Sequence, residues 1–188
     1  MKHPILVAGF AFALLAAGCQ TPPDAIEKEQ EPPAAAKPDA TDQFIEAEAF
    51  DAGFDPRART YLMLLRTVGS RRAGTIVPIF VGDREAQALR MRLEGELSMR
   101  PMTHDLTAGM IRKLGGHIEY ASIDAMQEGV FLARIFFRDA EGNLHSLDSR
   151  ASDAIILAVT AERKIYIHRD VVRETGIRPE DDKESISA

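Results

Sequence analysis

Three short stretches constrain this chain more than any bulk property: PIFVGDREAQAL from Pro78 to Leu89, RPMTHDL from Arg100 to Leu106, and DSRASDAIILA from Asp148 to Ala158. Each ends a strand or loop and opens a helix. Each therefore places a carboxylate (Glu85, Asp105 or Asp153) in a first helical turn, where backbone N–H groups lack partners and negative charge is favoured. The repetition admits two readings, ordinary helix capping or a site.

Around these stretches the pattern reads as one α+β domain over residues 44–177. Phe44 to Phe50 alternates as a strand. Arg59 to Thr67 follows, apolar on both faces and so expected to lie centrally, and Thr75 to Val81 returns as a third strand. Asp83 is the expected cap of a helix whose buried stripe is Ala86, Leu89, Leu93 and Leu97. A second helix starts at Thr103, is expected to bury Leu106, Met110 and Leu114, and stops at Gly115-Gly116, where a left-handed C-cap is easy. Strands recur at His117 to Met126, Val130 to Arg138 and Asn143 to Asp148. The helix from about Ser152 is apolar nearly all round and should be enclosed between layers. Lys164 to His168 makes a last short strand. Both halves follow one order, three strands and then a helix, and Glu85-Ala86 matches Asp153-Ala154 as Leu89 matches Leu157. The expected fold is a single α+β domain of two such strand-strand-strand-helix repeats, with an additional helix between them.

The flanks have different chemistry. Lys2, an apolar run from Ile5 to Ala17 and the sequence Leu15-Ala16-Ala17-Gly18-Cys19 read as a bacterial lipoprotein signal over residues 1–18, with Cys19 as the lipidated N-terminus. The run is shorter than the roughly 20 residues a bilayer crossing needs, so anchorage would come from acyl chains. Gln20 after the cysteine, by analogy with Gram-negative sorting, points to the outer membrane facing the periplasm. Residues 20–43 are Pro, Ala, Glu, Asp and Lys without apolar periodicity, the composition of a spacer. Residues 178–188 form a second polar, acidic tail.

Residues 44–177 carry 19 acids and 18 bases. That near-neutrality removes the broad basic surface that non-specific nucleic-acid binding rests on, so any phosphate recognition must be local. With Cys19 acylated no thiol remains for disulfide formation or thiol catalysis. No P-loop, Gly-x-Gly-x-x-Gly, Cys-x-x-Cys or His-Glu-x-x-His occurs, which sets aside the common nucleotide, redox and zinc classes.

What remains is sparse. His104 beside Asp105 supplies an imidazole and a carboxylate for acid–base work or metal binding, although adjacent helix residues point about 100° apart. The bland alternative is that Thr103 caps the helix and Asp105 favours its dipole. Glu85 and Asp153 either pair across the two halves to hold Mg²⁺ or Mn²⁺, or each serves its own helix start. Arg84, Arg100 and Arg150 either clamp phosphate or neutralise these acids. His117, His145 and His168 lack ligand spacing and read as structural.

Taken in order, the three stretches resemble the bifunctional nuclease domain family, over roughly Phe44 to Ile177. The resemblance implies an α+β domain, often oligomeric, associated with cleavage of RNA and DNA. Its Arg-Pro-Thr-His-Asp segment corresponds to Arg100, Pro101, Thr103, His104 and Asp105. Its glycine-then-glutamate helix opening corresponds to Gly82, Glu85 and Ala86, and its Arg-Pro-Ser-Asp-Ala segment to Arg150, Ala151, Ser152, Asp153 and Ala154, with alanine for the usual proline. The expected chemistry is phosphodiester hydrolysis with Glu85, His104, Asp105 and Asp153 as catalytic groups. Glu85, Asp105 and Asp153 would be the ligands of Mg²⁺ or Mn²⁺, and Arg100, Arg150 and Ser152 would contact substrate. The competing expectation is a non-catalytic envelope module for oligomerisation or protein docking.

Overall fold

The computed structural model describes residues 43–69, 74–96 and 98–178. The expected leader, Cys19 with nearly all of its spacer, Leu97 and the tail beyond residue 178 lie outside them.

Seven strands form one sheet: β1 (Phe44–Asp55), β2 (Thr60–Thr67), β3 (Ile76–Val81), β4 (His117–Gln127), β5 (Val130–Arg138), β6 (Leu144–Arg150) and β7 (Lys164–His168). Their spatial order is β3-β2-β1-β7-β4-β5-β6. All neighbours are antiparallel except β4 and β7, which are parallel. Each outer trio is sequential, and the last strand fills the gap between them. The helices are α1 (Asp83–Leu93), α2 (Thr103–Lys113), α3 (Ala151–Thr160) and α4 (Arg169–Thr175). The α+β class and the order of three strands then a helix, met once before α2 and once after it, agree with the expectation. The short α4 was not anticipated.

The main core joins α1, α3 and α4 to the sheet through Met63, Leu65, Ile79, Leu89, Ile123, Ile155, Ile156, Ile167 and Val171. Helix α3 carries seven buried residues, as its all-round apolar run requires. A separate aromatic cluster stacks Tyr120 on Phe136 at 4.2 Å between ring centres and sets Tyr166 edge-on to Tyr120.

Several local expectations are corrected. Strand β1 runs on past Phe50 because a bulge between Ala49 and Asp51 shifts its register on β2 and lets pairing continue to Asp55. Strand β2 is internal but one place from the edge; Met63 and Leu65 are buried on one face while Leu62 and Leu64 are half-exposed on the other. Helix α1 stops at Leu93, short of Leu97, because Gly95 takes φ +71° and Glu96 N–H returns to the Met91 carbonyl. The α2 stop falls where expected: Gly115 at φ +86° donates to Arg112, and Gly116 donates to Ile111.

The largest correction concerns α2, which has no fully buried residue. Leu106, Met110 and Leu114, expected in the core, are 57%, 57% and 77% exposed. Its inward contacts come from the half-buried Ala108 and Ile111. Periodicity reports that an apolar face exists, and here the neighbouring elements take a different face of the same helix.

Candidate functional site

Glu85, Asp105 and Asp153 each occupy the third position of their helices, α1, α2 and α3. Identical local positions meet different partners. Asp105 accepts the Met102 backbone N–H at 2.9 Å, closing its own helix start, and pairs with Arg92 from the end of α1. The helix therefore begins after Met102 and not after a Thr103 cap. Likewise Gly82, and not Asp83, is the N-cap of α1; the Asp83 carboxylate accepts from Arg84 N–H at 2.9 Å.

Asp153 and Glu85 are joined by one guanidinium. Arg150, the last residue of β6 and the N-cap of α3, donates from Nε to Asp153 Oδ2 at 2.7 Å and from Nη2 to Oδ1 at 3.0 Å. Its Nη1 donates to Glu85 Oε1 at 3.1 Å. On the far side of Asp153, His104 Nε2 lies 3.0 Å from Oδ1. The chain of contacts therefore runs Glu85, Arg150, Asp153, His104, and it ties the starts of α1, α3 and α2 together.

The electrostatics follow from this geometry. Burial pushes the Asp153 carboxyl up, but hydrogen bonds from Arg150 and His104 more than offset it and hold the group below the ordinary carboxylate range. The Arg150 guanidinium is pushed up by its hydrogen bonds and charge attraction to Asp153, with Glu85 adding to the effect. Gly82 makes room for the Glu85 end of the chain. A Cβ built there would come 2.5 Å from Glu85 Oε2, so any larger residue forces that carboxylate aside.

A cavity of about 430 Å³ opens beside this chain, lined by Glu85, Arg150, Ser152, Phe80, Val130 and Phe131 among others. Glu85 and Arg150 face it, whereas Asp153 and His104 stand behind Arg150. The Arg150 side chain is 67% exposed and Phe80 is 59% exposed, giving the cavity a cation and an aromatic wall. Ser152 is buried at its edge. Phe80 escapes sequence reasoning because an exposed aromatic in a strand has no signature until its neighbours are placed.

The expected trio of metal ligands is not brought together. Asp105 belongs to the Arg92 pair, and Arg150 stands between Glu85 and Asp153. Among the described residues no group of three or more His, Cys, Asp or Glu side chains is placed to hold a metal ion. A Mg²⁺ or Mn²⁺ held by three side chains therefore has no place among the described residues. Arg100 is exposed before α2 and has no ion-pair partner among the described residues. His117, His145 and His168 sit within 4 Å of Glu119, Asp139 and Asp170, as structural histidines do.

The family model of the bifunctional nuclease domain matches residues 63–180. The chain is 31% identical over 135 residues to an uncharacterized protein, Rv1829, of Mycobacterium tuberculosis strain H37Rv, covering 71% of this chain and 77% of that one. Its counterpart MT1877 in strain CDC 1551 matches equally. Bifunctional nuclease 2 of rice is 27% identical over 106 residues, which is 55% of this chain and 33% of the rice protein. All three helix openings lie within the matched span. The chain belongs to the bifunctional nuclease domain family.

Proposed function

We propose that the domain binds single-stranded RNA or DNA in the cavity beside Arg150 and hydrolyses its phosphodiester bonds there. The observation that carries this reading is the shared guanidinium: Arg150 links the cavity carboxylate Glu85 to the Asp153–His104 pair behind it. In this reading the N–H groups of Arg150 Nη1 and Nη2 that Glu85 and Asp153 leave over donate to a phosphate. Glu85 takes the proton of the attacking water as the oxygen–phosphorus bond forms, the bond from phosphorus to the sugar oxygen breaks, and that oxygen takes a proton from solvent water. Asp153 and His104 are positioning residues that fix Arg150, the Ser152 hydroxyl donates to a phosphate oxygen, and Phe80 stacks a base. Arg100 contributes a further backbone contact. The full-length protein should cleave single-stranded oligonucleotides, assayed in Mg²⁺, Mn²⁺ and EDTA. Glu85→Gln and Arg150→Gln should each lower the rate about 100-fold or more. Undiminished cleavage by both variants would identify a contaminating nuclease and remove the proposal.

The Leu-Ala-Ala-Gly-Cys sequence supports a lipid anchor on Cys19 that holds the domain at the outer membrane, facing the periplasm. Cys19→Ala should move the protein from the membrane fraction to the soluble one; unchanged fractionation would contradict the anchor.

A second reading, an oligomerising or protein-docking envelope module, is favoured by the exposed row Leu106, Met110 and Leu114. Light scattering on the wild type and on Leu106→Gln/Met110→Gln separates the cases. Self-association lost in the variant supports this reading, and a monomeric wild type removes self-association.

A further inference from the structure

The site just described holds one guanidinium against two carboxylates. A second cavity, sharing no lining residue with the first, has the opposite balance. It measures about 400 Å³ and lies where the ends of α1, α2 and α3 meet the start of β4. Arg92, Arg112, Arg163, His117, Asp105 and Thr160 line it. Asp105, the only acid among its lining residues, is already paired with Arg92. Arg112 and Arg163 have no acidic partner among the described residues, which leaves two positive charges uncompensated on one concavity of a nearly neutral domain. The His117 imidazole adds a polar group, itself beside Glu119.

A second observation points the same way. The Thr160 hydroxyl is buried and has no hydrogen-bond partner among the described residues. Such a group is costly to leave unpaired, and here it belongs to a residue of the cavity wall.

We infer that this cavity is a binding site for a small phosphate-bearing molecule of about nucleotide size. Two free guanidinium forks suit a phosphate dianion, which accepts paired N–H donors. The volume falls in the range of small-molecule sites and exceeds what a bare phosphate fills. The inference stands independently of hydrolysis at the first cavity, since a chain without nuclease activity would still bind.

Isothermal titration of the full-length protein with adenosine 5′-monophosphate and with inorganic phosphate tests it. Saturable binding of the nucleotide is expected, with affinity lowered at least tenfold in Arg112→Gln/Arg163→Gln and unchanged in Arg57→Gln, an exposed arginine that lines neither cavity. Both arginines are exposed, so the double variant keeps its fold, and an unchanged melting temperature checks this. Thr160→Val should weaken binding about threefold without lowering the melting temperature, a combination that a purely structural role would not give. Inorganic phosphate binding as tightly as the nucleotide would still support phosphate recognition. No saturable binding of either probe, equal affinity in the double variant, or an equal loss of binding in Arg57→Gln would overturn the inference.

Discussion

At Arg150 one positive charge faces two carboxylates, and Asp153 also reaches an imidazole, so each side chain depends on the next. The Asp153 carboxyl is held below its ordinary value of about 3.9. A lowered carboxyl contributes stability that is complete above the unfolded value and is lost as pH falls through the folded one. The gap in urea stability between wild type and Asp153→Asn should therefore be full at neutral pH and close below about pH 4. A gap that persists in acid would show that Asp153 acts through packing and not through its charge. Tyr120 shows the reverse case. Burial raises its phenol to about 12, and its hydroxyl has no partner among the described residues. Tyr120→Phe should thus be neutral or stabilise by up to about 1 kcal/mol, measured by denaturant melts, since it removes an unpaired buried group. Much of this residue-scale chemistry is invisible in sequence. Glu85, Asp105 and Asp153 have the same place in their helices, yet one closes a helix start and two share an arginine. The sequence offers both roles for Arg150, and only tertiary placement shows it bound to its acids.

At the scale of elements, α3 was the most legible, because a helix apolar on all sides has only one place to go. Ile156→Ala should destabilise the domain by about 2–5 kcal/mol, since it opens a cavity between the sheet and its helices. Its C-terminus carries a different liability: Glu162, at φ +56°, holds the left-handed position that closes α3. Glu162→Gly should raise stability by roughly 1 kcal/mol in thermal melts, the side-chain strain exceeding the added chain entropy. A loss would mean that Glu162 makes compensating contacts. Helix α2 was the least legible element. Its boundaries followed from Thr103 and Gly115, but its apolar row faces outward, because periodicity fixes where a stripe lies on a helix and not what covers it. The overrun of α1 to Leu97 has a local cause, since the Gly95 stop lies inside an otherwise regular apolar spacing.

For the whole molecule, two sequential strand trios flank β7, and α1 and α3 bring Glu85 and Arg150 to one cavity. The α+β class was readable from strand and helix order alone. The insertion of β7 between β1 and β4 was not, because a five-residue strand carries no information about its neighbours. The fold thus separates acids that are locally alike: Glu85 faces the cavity beside Arg150, and Asp105 lies with Arg92 at the second cavity. The most direct test is single-turnover cleavage of a labelled single-stranded RNA by Glu85→Gln and Asp105→Asn, with circular dichroism confirming that both are folded. The account predicts a loss of about 100-fold or more for Glu85→Gln and a rate within a few-fold of wild type for Asp105→Asn. Full activity in Glu85→Gln with a large loss in Asp105→Asn would contradict it.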